Sequence, residues 1–158
     1  MADARVKIAK DKADLVKSLK ADGADDTTKP FQTYADVLVF AAALGAKRDL
    51  RQPFGEFSKK DPDPIPYDVF RKYDKVVKLL AVVATKNPRI LADNEEAEES
   101  RIKIFEEYAN AGLEILSSNL VGSVDHLERI LLLLSDEKES SDTLKNEDGF
   151  DLSYFLNT

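Results

Sequence analysis

The sequence predicts a mainly α fold: a compact bundle of about five helices, opened by one short strand or extended arm. Three observations predict it. Five segments carry apolar residues at spacings of three and four, the period of a helix with a buried face. Only Arg5–Lys10 alternates residue by residue. The connections are polar or proline-rich, and no internal repeat is present. A chain of 158 residues is most simply one domain, and it can bury a core without disulfides or metals.

In RVKIAK, Arg5, Lys7 and Ala9 point one way and Val6 and Ile8 the other, as in a short strand with one wet face. Lys10–Lys20 reads as the first helix, with Ala13, Leu15, Val16 and Leu19 inward. Asp22–Lys29 has no periodicity and is a polar loop. Thr33 then caps the second helix, its hydroxyl accepting from an amide of the first turn. Asp36 follows near the positive end of the dipole. Val37, Leu38, Phe40, Ala41 and Leu44 surround the axis, so this helix is a central post. Alanines 41, 42 and 43 permit close approach of a neighbour, and Gly45 is the expected stop.

Lys47–Pro66 is irregular, because Pro53, Pro62, Pro64 and Pro66 deny it a continuous helix. Phe54 and Phe57 are expected to pin it to the body. Tyr67–Thr85 reads as one long third helix, ended by Asn87-Pro88. Asn94–Ser118 is the fourth, with acidic first turns suited to a helix N-terminus. Ile102, Phe105, Ala109, Leu113 and Leu116 form one stripe, and Ile104, Tyr108, Ala111 and Ile115 a second. Gly112 inside this helix costs about 1 kcal/mol relative to alanine, so close packing is expected there. Val124–Leu134 is the fifth helix, whose LERILLLL end is expected to be buried on most sides. The helical domain is thus assigned to residues 1–134. Residues 135–149 read as an acidic, mobile linker. Residues 150–158 contain an apolar segment that docks on the domain or on a partner, through Phe150, Leu152, Tyr154, Phe155 and Leu156.

Composition excludes several chemistries. There is no cysteine, hence no disulfide, cysteine–zinc site or thiol nucleophile. His126 is the single histidine, too few for a histidine metal cluster. No apolar run approaches the roughly 20 residues of a membrane span. The N-terminus lacks the apolar region of a signal peptide, so a cytoplasmic protein is expected, with no membrane partner. No phosphate-binding glycine loop or nucleophile elbow is present. Asp125, His126 and Glu128 read as surface residues. Glu95–Glu99 and Glu106-Glu107 read as an acidic first turn and a solvated face. No catalytic residue, metal site or cofactor is expected.

The net charge of −7 is unevenly distributed. Residues 1–89 hold 18 Lys and Arg against 13 Asp and Glu, and residues 90–158 hold 5 against 17. Such asymmetry predicts either opposite poles or solvated faces that mix on folding. The candidate nucleic-acid contacts are Arg5, Lys7, Lys10 and Lys12 near the strand, and Lys47, Arg48 and Arg51 after the second helix. Thr33 marks a helix N-terminus able to hold a phosphate. The order strand, helix, loop, helix resembles the ribbon-helix-helix layout. There a strand from each of two subunits pairs and enters the major groove, with Arg5 and Lys7 toward the bases.

Several phrases occur in a telling order: RVKIAKDKADLVKSL, PFQTYADVLVFAAALGAKR, DPIPYDVF, LLAVVATKNPRIL and IFEEYANAGLEIL. Together they resemble the DNA phosphorothioation-associated protein 4 family, also called Dnd system-associated protein 4. The resemblance covers roughly Arg5–Leu134, and the acidic segment and FDLSYFL resemble the family's tail more loosely. It implies company with systems that replace a non-bridging phosphate oxygen of DNA by sulfur, or that restrict DNA lacking the mark. It implies no catalytic motif. The sulfur chemistry of such systems belongs to other components, which use cysteines and iron–sulfur clusters.

Three readings follow. The first is a non-catalytic accessory protein of a phosphorothioation system used in restriction and defence, acting through protein contacts and DNA contacts. The second is a homodimeric regulator binding operator DNA through Arg5 and Lys7. The third is a metal-dependent nuclease using Glu106 and Glu107 on the acidic helix.

Overall fold

The structure, a computed structural model, describes residues 4–23, 29–123 and 125–148, with the backbone alone at 139–148. It is mainly α, as the sequence predicts. The helices are α1 (Ala13–Leu19), α2 (Tyr34–Lys47), α3 (Asp74–Thr85), α4 (Glu95–Leu120) and α5 (His126–Asp148). Short 3₁₀ segments precede α1, α3 and α4. Two strands, β1 (Arg5–Val6) and β2 (Ile65–Pro66), pair antiparallel with Val6 opposite Ile65.

The alternation holds from Arg5 to Ile8 and breaks at Ala9, which is buried although expected on the wet face. Val6 and Ile8 are buried while Arg5 and Lys7 are exposed. The arm is stitched to the proline-rich segment along its length. Tyr67 N–H donates to the Ala4 carbonyl at 2.9 Å, Ser58 N–H to Ile8 at 2.8 Å, and Lys10 N–H to Glu56 at 3.1 Å. β1 therefore pairs with β2 of its own chain, where the ribbon-helix-helix layout gives the strand to a second subunit.

The most extensive helix interface is α2 on α4. The apolar stripes read from the sequence form it: Val37, Leu38, Ala41 and Leu44 meet Phe105, Tyr108, Ala109 and Leu113 in one core. Thr33 caps α2 as expected, accepting from Asp36 N–H at 3.1 Å. Asn94 does the same for α4, accepting from Ala97 N–H at 2.8 Å. Gly45, in contrast, does not stop α2, which runs on to Lys47. Its role is close approach. A β-carbon there would collide with the Tyr108 carbonyl oxygen and lie 3.2 Å from that of Leu50. Gly112 answers from α4, where a β-carbon would collide with the Ala41 carbonyl and lie 2.8 Å from the Ala41 α-carbon. The two glycines bring the helix backbones into direct contact.

Tyr67–Thr85 is not one α-helix. Tyr67–Tyr73 is 3₁₀, and the α-helix starts at Asp74. Tyr67, Phe70 and Tyr73 recur every third residue, which aligns them on one side of a 3₁₀ helix. Phe70 is fully buried at its centre, edge-on to Phe105 at 5.5 Å. Tyr67 O–H donates to Asp74 at 2.6 Å, tying the 3₁₀ start to the first α turn. Arg101 is buried, and its guanidinium donates to the carbonyls of Ile90 and Ala92 at 2.8 and 3.0 Å. It thereby fixes the turn entering α4. Arg101→Ala is expected to cost about 2 kcal/mol, because two half-buried carbonyls lose a charged donor. Urea denaturation measures it.

α5 departs most from the sequence reading. Ile130 and Leu133 are buried, but Leu127, Leu131, Leu132 and Leu134 are exposed. The helix also does not end at Leu134: it continues through the segment read as an acidic linker, as far as Asp148. Periodicity over four consecutive leucines cannot show which of them face inward. No helix among the described residues is long and apolar enough to cross a membrane.

Candidate functional site

The residues proposed to contact nucleic acid differ in what they touch. Arg5 donates from its guanidinium to the Pro64 carbonyl at 3.3 Å. The Lys7 ammonium lies 4.9 Å from the centre of the Phe57 ring, a cation–π distance. Lys10 is exposed, 3.9 Å from Glu56. Lys12 is not a surface cation. Its side chain is 4% exposed, and its ammonium sits 3.0 Å from Glu114 and 3.1 Å from Asp11. It serves as an ion-pair tie between the start of α1 and α4.

The cations after α2 are engaged as well. Lys47 and Arg48 both hold Glu137 of α5, with Lys47 Nζ 3.1 Å from Glu137 Oε2 and Arg48 Nε donating to Oε1 at 2.7 Å. Burial alone would push the Glu137 carboxyl up, but these two cations hold it below its ordinary value. Arg51 faces Glu107 at 3.6 Å and lies over the Tyr108 ring. At the N-terminus of α2, Asp36 already occupies the positive end of the dipole. Tyr73 O–H donates to its carboxylate, and Lys72 lies 3.6 Å away. Burial raises the Asp36 carboxyl, yet these hydrogen bonds and the Lys72 charge bring it below its ordinary value. A phosphate at Thr33 would have to compete with this anion.

Glu137 is thus the clasp that holds α5 to the end of α2. In Glu137→Ala, amide exchange over α5 is expected to quicken at least tenfold while α2 and α4 stay protected. Hydrogen–deuterium exchange resolved by segment reads this directly.

A cleft of about 770 Å³ lies elsewhere, between β1, residues 53–57 and the first half of α4. Phe54, Phe57 and Ile102 give it an apolar lining. Arg5 and Lys7 stand on one side. Glu95, Glu99, Ile102 and Glu106 come from one face of α4, at spacings of three and four. Glu98, Lys103 and Glu107 complete the charged lining, so carboxylates outnumber cations by five to three.

Glu106 is the residue the sequence reading undervalued. It was assigned to a solvated face, yet it is largely buried, and it accepts Lys7 N–H at 2.6 Å. Burial pushes its carboxyl up to about 7, against the opposing influence of the Lys7 amide and the Lys7 and Lys103 charges. The signal was available. Glu106 lies four residues after Ile102 and three before Ala109, on the apolar stripe itself. Its neighbour Glu107 turns to Arg51, and the Glu107 carbonyl accepts Gln52 N–H at 3.0 Å. Asn110 adds a second tie, donating to the Gln52 carbonyl at 2.9 Å. His126 is within 2.8 Å of the Ser123 hydroxyl through Nδ1. Among the described residues no group of three or more His, Cys, Asp or Glu is placed to hold a metal ion. The apolar tail, Phe150 to Leu156, lies outside the described residues.

A family model described as DNA sulphur modification system-associated protein 4 matches residues 5–155. The match extends beyond the helical blocks through the acidic stretch of α5 and into the tail. No curated protein and no solved structure matches.

Proposed function

The chain belongs to the DNA sulphur modification system-associated protein 4 family, and on that premise we propose that it is a non-catalytic accessory protein of a DNA phosphorothioation system that acts by binding another protein component. One observation carries the choice of protein over DNA as the principal ligand. Four of the seven cations named as candidate phosphate contacts are held by this chain's own carboxylates: Lys12 by Glu114, Lys47 and Arg48 by Glu137, and Arg51 near Glu107, while Arg5, Lys7 and Lys10 stay exposed. A cation already paired gains little by meeting a phosphate, and the cleft beside β1 has a surplus of carboxylates that repels one. The restriction and defence context implied by the sequence resemblance belongs to the same reading.

Affinity purification of the full chain from cells expressing a complete phosphorothioation operon is the test. A stoichiometric complex with one co-encoded protein, stable at 0.3 M salt, is expected. Binding only to duplex DNA, with affinity falling steeply as salt rises, would replace this reading with the DNA-contact one.

A further inference from the structure

The α4 carboxylates fall into two groups. Glu107 and Glu114 face Arg51 and Lys12 of the same chain. Glu95, Glu98 and Glu99 line the cleft and form no ion pair among the described residues. Glu106, in the same cleft, accepts a backbone N–H and forms no ion pair among the described residues. Phe54 and Phe57 line the same cleft, with the Lys7 ammonium 4.9 Å from the centre of the Phe57 ring. From Glu95 to Glu106 the helix rises about 16 Å, the length of roughly five residues of extended chain. Unpaired carboxylates and an aromatic ring lining one cleft suit a side chain with a cationic head and an apolar stem.

We propose that this cleft receives an extended arginine- or lysine-bearing segment of the partner protein, with the cationic heads on Glu95, Glu98, Glu99 and Glu106 and the alkyl stems against Phe54. This deepens the accessory reading and rests on it. Charge complementarity selects the occupant. A nucleic-acid strand would set its phosphates against the same carboxylates, and an acidic peptide would be repelled likewise. Lys7 and Arg5 on the facing side set the limit of the acidic wall, so a segment with cations on one edge fits better than a uniformly basic one.

The experiment uses the full chain and a fluorescein-labelled octapeptide of alternating arginine and glycine, read by anisotropy. A glutamate–glycine octapeptide and a labelled DNA duplex are the comparisons. The arginine peptide is expected to bind, and Glu98→Lys with Glu99→Lys is expected to weaken it at least tenfold. Glu128→Lys with Asp136→Lys changes net charge equally on exposed α5 positions and is expected to weaken it less than twofold. Circular dichroism confirms that both pairs fold. Equal losses in the two pairs, or equal binding of the glutamate peptide or the duplex, would overturn the proposal. So would unchanged co-purification of the partner by the Glu98→Lys, Glu99→Lys chain, which leaves the accessory reading standing. Failure of the unaltered chain to co-purify with any component strikes that reading instead, even if the arginine peptide binds.

Discussion

Gly112→Ala is expected to destabilise the fold by about 3 kcal/mol or more, although alanine is the better helix former by about 1 kcal/mol. The sign is set by geometry. A methyl at position 112 meets the backbone of Ala41, not the movable end of a side chain, so α2 and α4 must separate to admit it. Separation thins the contacts of Leu38, Leu44, Phe105, Tyr108 and Leu113 together, since all belong to the one core. Gly45→Ala meets the Tyr108 carbonyl in the same way and is expected to be similarly severe. Gly55 is the control, with nothing within 4 Å of where its β-carbon would stand. Gly55→Ala should lie within about 0.5 kcal/mol of the parent. Urea midpoints for the three variants decide the matter. A Gly112→Ala chain as stable as the parent would mean that α2 and α4 are not in backbone contact.

The second large effect is a pH dependence that Glu106→Gln should abolish. Folding moves the Glu106 carboxyl from 4.5 to about 7 by burying it. Between those values the folded chain holds the proton more tightly than the unfolded chain does, so stability falls as pH rises. Above about pH 7 the buried charge costs on the order of 3 kcal/mol, an upper bound for a group that keeps some contact with water. Glutamine retains a carbonyl for the Lys7 amide and removes the charge. Glu106→Gln is therefore expected to raise the melting temperature at pH 8 and to change little near pH 5. Asp36, Asp74 and Glu137 act in the opposite sense. Each is held below its ordinary value, so each stabilises above the carboxylate range and loses that contribution as acid protonates it. Measurements between pH 5 and 8 isolate Glu106 from them. Parallel melting curves for the parent and Glu106→Gln across that range would contradict the buried-carboxylate geometry.

Much of the fold was legible because it depends on local chemistry. Thr33 is a cap wherever a helix follows it, and Pro53 to Pro66 exclude a helix whatever surrounds them. The stripes of α4 are read from spacing alone. Gly112 was legible by its cost: a glycine inside a long helix needs a neighbour close enough to justify it. Gly45 was misread because a glycine near a helix end has two uses, stopping the helix and admitting a neighbour, and sequence alone does not separate them. α5 was misread for a related reason. Four leucines in a row state that a helix is apolar, and only Ile130 and Leu133 proved to face the body.

The candidate site was less legible still. Lys12, Lys47, Arg48 and Arg51 have the composition of a phosphate-binding surface. In the structure α4 and α5 deliver Glu114, Glu107 and Glu137 to them from 56 to 102 positions away along the chain. Charge is a property of a residue, but availability of that charge is a property of its neighbours.

By itself, then, the sequence determined the helical class, the Thr33 cap, the apolar faces of α2 and α4, the absence of cysteine chemistry and the family. These follow from residue types at short spacings, where the backbone period does the placing. Only the tertiary structure decided which charges are paired and which carboxylates line the β1–α4 cleft. It also decided that Glu106 is buried and that two glycines set the α2–α4 distance. Those depend on contacts between residues far apart in the chain, and a spacing of three or four carries no record of them.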